Sequence, residues 1–539
     1  MEHLSQKEKI AIMIAIIGAM FFAAVNQTIV GNALPKIVSE LGGLDYYSWV
    51  FTIYMLTSAI TTILVGKLSD IYGRKPFLII GIIIFSIGAF LSGTSTDIFQ
   101  LITYRGLQGF GAGMIMSTAF TAVGDLFAPR ERGKWQGAMG SVFGISSVIG
   151  PTLGGYIVDN LEWQWVFWVF LPLGILALIL IWKLFPSIER NQGEKVDYAG
   201  AFFLTATIVF TLLGFSWAGT KYDWGSAQII GLFAGAVTAL VIFIFVERKV
   251  KDPILPLHLF KNGIFSISNI IGFLIGVSMF GGIMYVPYFI QGVLGYSATH
   301  SSFLTMTMTL GLVVASAIGG QIISKTGKYK IQAIIGLCVS TVGLYLLSRM
   351  DMNTSQYSLA AFLILLGFGI GIGMTVFTLT VQNAVDQRLL GVATASSQLF
   401  RSVGGTVGVA IMGTLLNSRM QDKMESFSQN IATNNMAASP ELAGKIEALK
   451  NPQMLLDHEK LDQLRASFPA EAAPFIKGII EELQNAMSYA LSGVFLFVTF
   501  TMLLAVLLTF FLKEIPLRSE ADSSVNKSPN NMKLQENRG

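Results

Sequence analysis

Fourteen apolar runs dominate this 539-residue chain, the first at 10–31 and the last at 487–512. Each is about 18–25 residues long, and at 1.5 Å of rise per residue such a helix crosses a hydrocarbon core about 30 Å thick. The fold class this imposes is an all-α polytopic membrane protein. Composition points the same way: 13% of residues are charged, against about 25% in an ordinary soluble domain. The first run lacks a small-residue cleavage site, carries Asn26 and is followed by Asn32 and Pro35, so it reads as a retained span rather than a signal peptide. The single cysteine, Cys338, lies inside an apolar run and reads as a packing residue; it excludes a disulfide framework and a cysteine metal site.

Charged strings punctuate the runs. GKLSDIYGRK, Gly66 to Lys75, separates the run 50–65 from the run 76–91. So tight a loop makes its two helices antiparallel neighbours and sets Asp70, Arg74 and Lys75 at the membrane surface. Lys and Arg crowd the loops on the N-terminal side, while Lys36, Lys221 and Arg349 stand in short loops opposite. The positive-inside rule then predicts cytoplasmic N- and C-termini. The polar tail after Lys513 reads as disordered. Between the last two spans a long extracellular loop, 418–486, holds PELAGKIEALK and FIKGIIEELQNAM, whose periodicity predicts helices with one apolar face. Two readings stand: a solvated helical hairpin, or a cap over the outer mouth.

The chain also repeats itself. GQIISKTGK, Gly320 to Lys328, echoes the Gly66 string: Gly320 matches Gly66, Gly327 matches Gly73, Lys328 stands where Arg74 does, and Ser324 replaces Asp70. GFGAGM, ending at Met114, pairs with GIGIGM, ending at Met374. Two six-span halves with a pair of inserted spans between them account for both echoes. The expected division is a cytoplasmic segment 1–9, a six-helix bundle 10–190, inserted helices with their flanks 191–261, a second bundle 262–512 that includes the long loop, and the tail 513–539.

No acidic residue falls in mid-membrane, and only two basic ones do, Arg105 and Arg401. An arginine at a helix centre costs at least about 2.5–3.5 kcal/mol, so both are expected to face the protein interior. With no carboxylate at that depth, the candidate partners are backbone carbonyls, water, Asn26, Gln108, Gln382, Asn383 and Gln398. Each arginine has two readings, a functional group or a structural hub tying helices together. Met114, Met284 and Tyr285 are candidate walls of a cavity for apolar ligands, since flexible and aromatic side chains adapt to varied shapes.

Several strings resemble the major facilitator superfamily of transporters, and in particular its fourteen-span drug:proton antiporter branch. GKLSDIYGRK looks like the signature loop between its second and third spans. RGLQGFGAG, from Arg105, resembles its span-four motif, in which the arginine is linked to proton movement. GPTLGG, carrying Gly150, Pro151, Gly154 and Gly155, resembles the antiporter motif of exporters. QLFRSVGGTVG, around Arg401, DPILPLHLF, WAGTKYDWGS, YFIQGVLGYS and DLFAPRERGK resemble strings of the fourteen-span branch. The resemblance implies the major facilitator fold, with two six-helix bundles rocking about a central site. It implies a conformational latch of Asp70, Arg74 and Asp125, with Arg105 in proton coupling. GPTLGG would make the inward side hard to leak through. The implied protein is a monomer in the plasma membrane that exports lipophilic compounds, uses the proton gradient without a cofactor, and contacts the bilayer and small substrates but no nucleic acid.

One departure stands out. In VNQTIVGNALP, Asn26 occupies the place of the family's span-one acid. That weakens the expectation of cationic drugs and favours neutral, zwitterionic or anionic substrates. The alternatives are an exporter of one dedicated lipid or metabolite, a non-coupled facilitator, or a transporter-like sensor.

Overall fold

A computed structural model describes residues 5–41, 49–186, 197–219, 221–296, 298–386, 389–432, 461 and 473–515. Its helices are α1 (Gln6–Leu41), α2 (Trp49–Tyr72), α3 (Arg74–Gly93), α4 (Ile98–Leu126), α5 (Pro129–Asn160), a short α6 (Trp165–Trp168), α7 (Leu171–Leu184), α8 (Tyr198–Trp217), α9 (Ala227–Lys249), α10 (Gly263–Tyr288), α11 (Ala298–Thr326), α12 (Lys330–Ser348), α13 (Gln356–Asn383), α14 (Leu390–Ala432) and α15 (Ala473–Phe510). Among the described residues, 13 spans are long and apolar enough to cross a membrane, with α6 and α7 joined as one. The 29-residue α4 is also long enough, and Gln100, Arg105 and Gln108 lower its apolarity.

Helices α1–α7 form one bundle and α10–α15 the other, each with its own apolar core. Glycines set the spacing around the fourth helix of each. A side-chain carbon on Gly113 would come within 2.5 Å of the Ser58 carbonyl of α2, and one on Gly111 within 2.5 Å of the Phe85 amide of α3. In the second bundle Gly367 and Gly371 press on α11, while Gly369 presses on α12. Gly109, Gly111 and Gly113 therefore correspond to Gly367, Gly369 and Gly371. The GFGAGM–GIGIGM pairing expected from the sequence is out by two residues, because it matched the strings by letter and not by the neighbour each glycine meets.

The face carrying Lys9, whose ammonium lies 6.0 Å from the Phe127 ring, also carries Glu514, which accepts a 2.9 Å hydrogen bond from the Tyr329 amide. We call it the terminal face. Both described chain ends lie there, together with the α2–α3, α4–α5, α11–α12 and α13–α14 connections.

Several boundaries differ from expectation. Helix α1 continues through Pro35 to Leu41. Helix α14 has 43 residues and rises about 65 Å, twice a hydrocarbon core. Its extension and the start of α15 take up both ends of the expected loop 418–486. Residues 475–487 open α15, where Ile476, Ile479, Ile480 and Leu483 are buried in the second bundle's core. This continues the bundle instead of making a detached hairpin. The Tyr489 ring lies 4.4 Å from Arg419 and 4.9 Å from Lys423. PELAGKIEALK and the tail from 516 lie outside the described residues. Cys338 is exposed, in line with exposed Ile331, Ile335, Val342 and Tyr345 at alternating steps of four and three. That spacing is one outer stripe of a helix, so Cys338 faces outward and is not core packing.

The inserted helices α8 and α9 pack on each other, and α8 also packs on α2 of one bundle and α14 of the other. Trp217 meets Trp49 with ring centroids 5.8 Å apart, and Trp224 Nε1 donates to Thr414 Oγ1 at 2.8 Å. Asp197 caps α8 by accepting from the Gly200 amide at 2.8 Å. Buried Glu247 accepts from the Ile254 and Leu255 amides at 3.2 and 3.4 Å, which pins DPILP beneath the pair.

Candidate functional site

Gly73 turns the chain between α2 and α3 with φ +88°, a conformation that favours glycine. The turn brings Arg74 over the end of α2. Its guanidinium is buried and ion-paired to Asp70; Nη1 donates to Ser69 Oγ at 2.6 Å and Nε to Asp125 Oδ2 at 2.8 Å. The structure thus brings Asp70, Arg74 and Asp125 into one cluster. Asp70 also reaches the other bundle, accepting from the Gly391 and Val392 amides at 3.1 and 3.2 Å in the first turn of α14. Free amides and the helix dipole favour a carboxylate there. Beneath it, a side-chain carbon on Gly66 would lie 2.6 Å from Ala395 Cβ and 2.9 Å from the Gly391 carbonyl. The two backbones touch.

The second copy of the string builds a related seam, in which Ser324 stands where Asp70 does. The Lys134 amide of α5 donates to Ser324 Oγ of α11 at 3.2 Å. Gly133 packs on the Gly320 backbone and Gly137 on Ser316. Gln382 joins the bundles between the seams: its Oε1 accepts from Gln136 Nε2 at 3.2 Å, and its Nε2 donates to the Phe120 carbonyl and to Thr394 Oγ1, both at 3.0 Å. Expected in the cavity wall, Gln382 is instead buried in this bridge, where its amide is matched on both ends. The inter-bundle contacts just described fall in the half of the molecule toward the terminal face.

Arg105 is fully buried in the first bundle. Nη1 donates to Gln108 Oε1 at 2.6 Å, Nε to the Val50 carbonyl at 3.5 Å, and the guanidinium carbon sits 4.3 Å from the Tyr54 ring centroid. Gln108 Nε2 in turn donates to Asn26 Oδ1 at 2.8 Å. Arg105 therefore leans on α2 and reaches α1 only through Gln108. Asn26 and Gln108, expected on a cavity wall, are fully buried in this chain of bonds. A guanidinium in a low-dielectric interior with no acid in reach takes the amides beside it.

Arg401 differs. It lines a small, half-open recess of about 10 Å³, together with Gly272 and Ile275 of α10, Gly373, Met374, Phe377 and Thr378 of α13, and Ser397 one turn before it. Gln398 Nε2 and Asn383 Nδ2, two further cavity candidates, are buried donors without acceptors and do not line this recess. The other cavity candidates lie elsewhere. Met114 packs by its Cβ on Gly81 of α3. Tyr285 is buried and donates to the Val409 carbonyl at 3.0 Å. Met284 is exposed beside Ile283, on the opposite side of α10 from buried Tyr285. Gly150 and Gly154 seat α5 on Ile29 of α1, and Thr28 Oγ1 donates to the Ser146 carbonyl at 2.8 Å. These contacts lie within one bundle, in the half of α5 far from the terminal face. Gly155 meets nothing within 4 Å. The Pro151 side chain lies outside the described residues.

Sequence reasoning missed Gln136, Thr394, Ser397 and Thr378. Isolated hydroxyls and amides inside spans carry no spacing signal. Ser324 was within reach, because the internal repeat had already aligned it with Asp70.

The sequence model of the Major Facilitator Superfamily matches residues 16–409. The multidrug transporter protein MdtP of Bacillus subtilis (strain 168) is 38% identical over 523 residues, covering 96% of this chain and 95% of that protein. Multidrug resistance protein 3 of the same organism is 33% identical over 511 residues, covering 95% and 96%. The human organic anion transporter MFSD10 superposes with a TM-score of 0.59 at 13% identity, over 92% of this chain and 99% of that one. The proton:xylose symporter XylE does so with a TM-score of 0.57 at 11% identity, over 97% and 99%. These two likenesses bear on the fold alone.

Proposed function

This chain belongs to the major facilitator superfamily, as a multi-pass membrane transporter, and from that premise we propose that it exports lipophilic compounds by proton antiport and alternating access. The observation that carries the reading is the terminal-face closure. Two bundles meet along two repeat-related seams, one of which is held by a carboxylate and an arginine whose pairing can be broken. Lys and Arg concentrate on that face, which supports assigning it to the cytoplasm. The closed cytoplasmic side then corresponds to a state that opens outward. Asp70 and Asp125 are the acids of this seam, and a proton arriving at Asp70 weakens its hold on Arg74 and on the α14 amides. The relatives named as multidrug transporters, matched over nearly their whole length, support export of varied apolar compounds.

The test is purified protein in liposomes under an imposed pH gradient. Uphill movement of a labelled lipophilic compound, collapsed by a protonophore, is the expected result. Equilibration alone would replace antiport with facilitation, and no movement over a broad compound panel would leave a sensor.

A further inference from the structure

Arg105 and Arg401 are the two arginines in mid-span, and only the first is paired. Among the described residues Arg401 has neither a hydrogen-bond acceptor nor a nearby charged side chain. It lies eleven residues into α14, about 16 Å along the helix axis, which is mid-depth. Its partly buried side chain opens onto the recess between α10, α13 and α14. The Ser397 hydroxyl on the same wall is likewise without a partner among the described residues. One is a cation and the other a hydroxyl that can donate. Gly272 and Gly373 keep the wall low, and Met374, Phe377 and Ile275 supply an apolar surround.

We propose that this recess is an anion subsite: Arg401 and Ser397 receive an oxygen of the carboxylate, sulfonate or phosphate of an amphipathic substrate whose apolar body lies across the open side of the recess. A buried cation left unpaired is costly, and an anionic ligand removes that cost while its apolar part stays out of water. The geometry deepens the efflux reading by naming the charge of its substrates. It rests on that reading only for the bound molecule being cargo.

The test is binding without a proton gradient, so that a failure of transport and a failure of the subsite are separable. The full chain in phosphatidylcholine nanodiscs is titrated with 8-anilinonaphthalene-1-sulfonate and with N-phenyl-1-naphthylamine, which lacks the sulfonate. Arg401→Gln is expected to weaken the sulfonate probe on the order of tenfold or more and the neutral probe less than about twofold, as loss of a charge pair in a low dielectric requires. Arg401→Lys should keep most of the difference and Ser397→Ala should lose a smaller part. Equal loss of both probes would make Arg401 a structural tie, and no loss of the anion would remove it from any site; either overturns the proposal. Should Arg401→Gln fail to fold, the wild type decides. Decanesulfonate must displace the anionic probe where decanol at the same concentration does not, and equal displacement by both overturns the proposal.

Discussion

Two arginines at similar depth have opposite surroundings, and the difference is local. Arg105 has Gln108 three residues on, on the same face of α4, with Tyr54 beneath it. Arg401 has Gly404 and Gly405 in the corresponding places. Arg105→Lys removes the planar fork, and with it a charged hydrogen bond and ring stacking; a loss of about 1.5–3 kcal/mol follows. A thermal unfolding midpoint unchanged from wild type in detergent would refute that. At the terminal face Asp70 serves two masters, Arg74 and the α14 amides. Asp70→Asn leaves Arg74 with Asp125 alone, and breaking a buried pair costs about 3–5 kcal/mol. The variant should express and insert as wild type yet transport at least about tenfold more slowly, the loss falling on the closed state. Liposome transport at matched protein density, with a near-normal rate, would exclude the latch. That both arginines face inward was legible, because charge burial leaves no other solution. Which of them is satisfied was not, since Gln108 and Gln398 look alike on paper.

At the scale of helices, the glycine strings were legible as close contacts, but their partners were not. A glycine announces that something approaches and says nothing of what. Hence the two-residue slip between the echoed strings, and hence Gly150 and Gly154, which pack α5 on α1 and not on the other bundle. The Gly66 contact is the sharpest case. Gly66→Val places methyl groups where Ala395 and the Gly391 carbonyl already sit, so α2 must leave α14. With spin labels at Lys134 and Asp386 in a Cys338→Ser background, the distance distribution should lengthen and broaden in Gly66→Val. An unchanged distribution would mean that the seam tolerates a side chain. The span ends were the least legible part. Helices α1, α14 and α15 continue past the apolar runs, where hydropathy stops marking them but helix propagation does not stop.

For the whole molecule, the two-bundle plan and the inserted pair followed from the repeat, since duplicated halves need equal span numbers and two spans were left over. The conformational state did not, because one sequence serves every state. If transport requires the terminal face to part, locking it must stop the cycle. Gly124 faces the Leu390 side chain across the interface, with only 2.9 Å to spare for an added carbon. Gly124→Cys with Leu390→Cys, again in Cys338→Ser, should lose transport on oxidation and regain it with a reductant. Transport persisting in the fully cross-linked protein would exclude rocking as the mechanism.

The inserted helices also make the molecule lopsided toward its lipid. One joint between the bundles, α2 against α14, is roofed by α8, with Trp217 and Trp224 clamped to either side. The other, α5 against α11, has neither inserted helix packed over it among the described residues. Lipid therefore meets an inserted helix on one flank and the closely packed bundle helices themselves on the other. Where two bare bundles would present the bilayer with two like joints, this architecture presents it with two unlike ones.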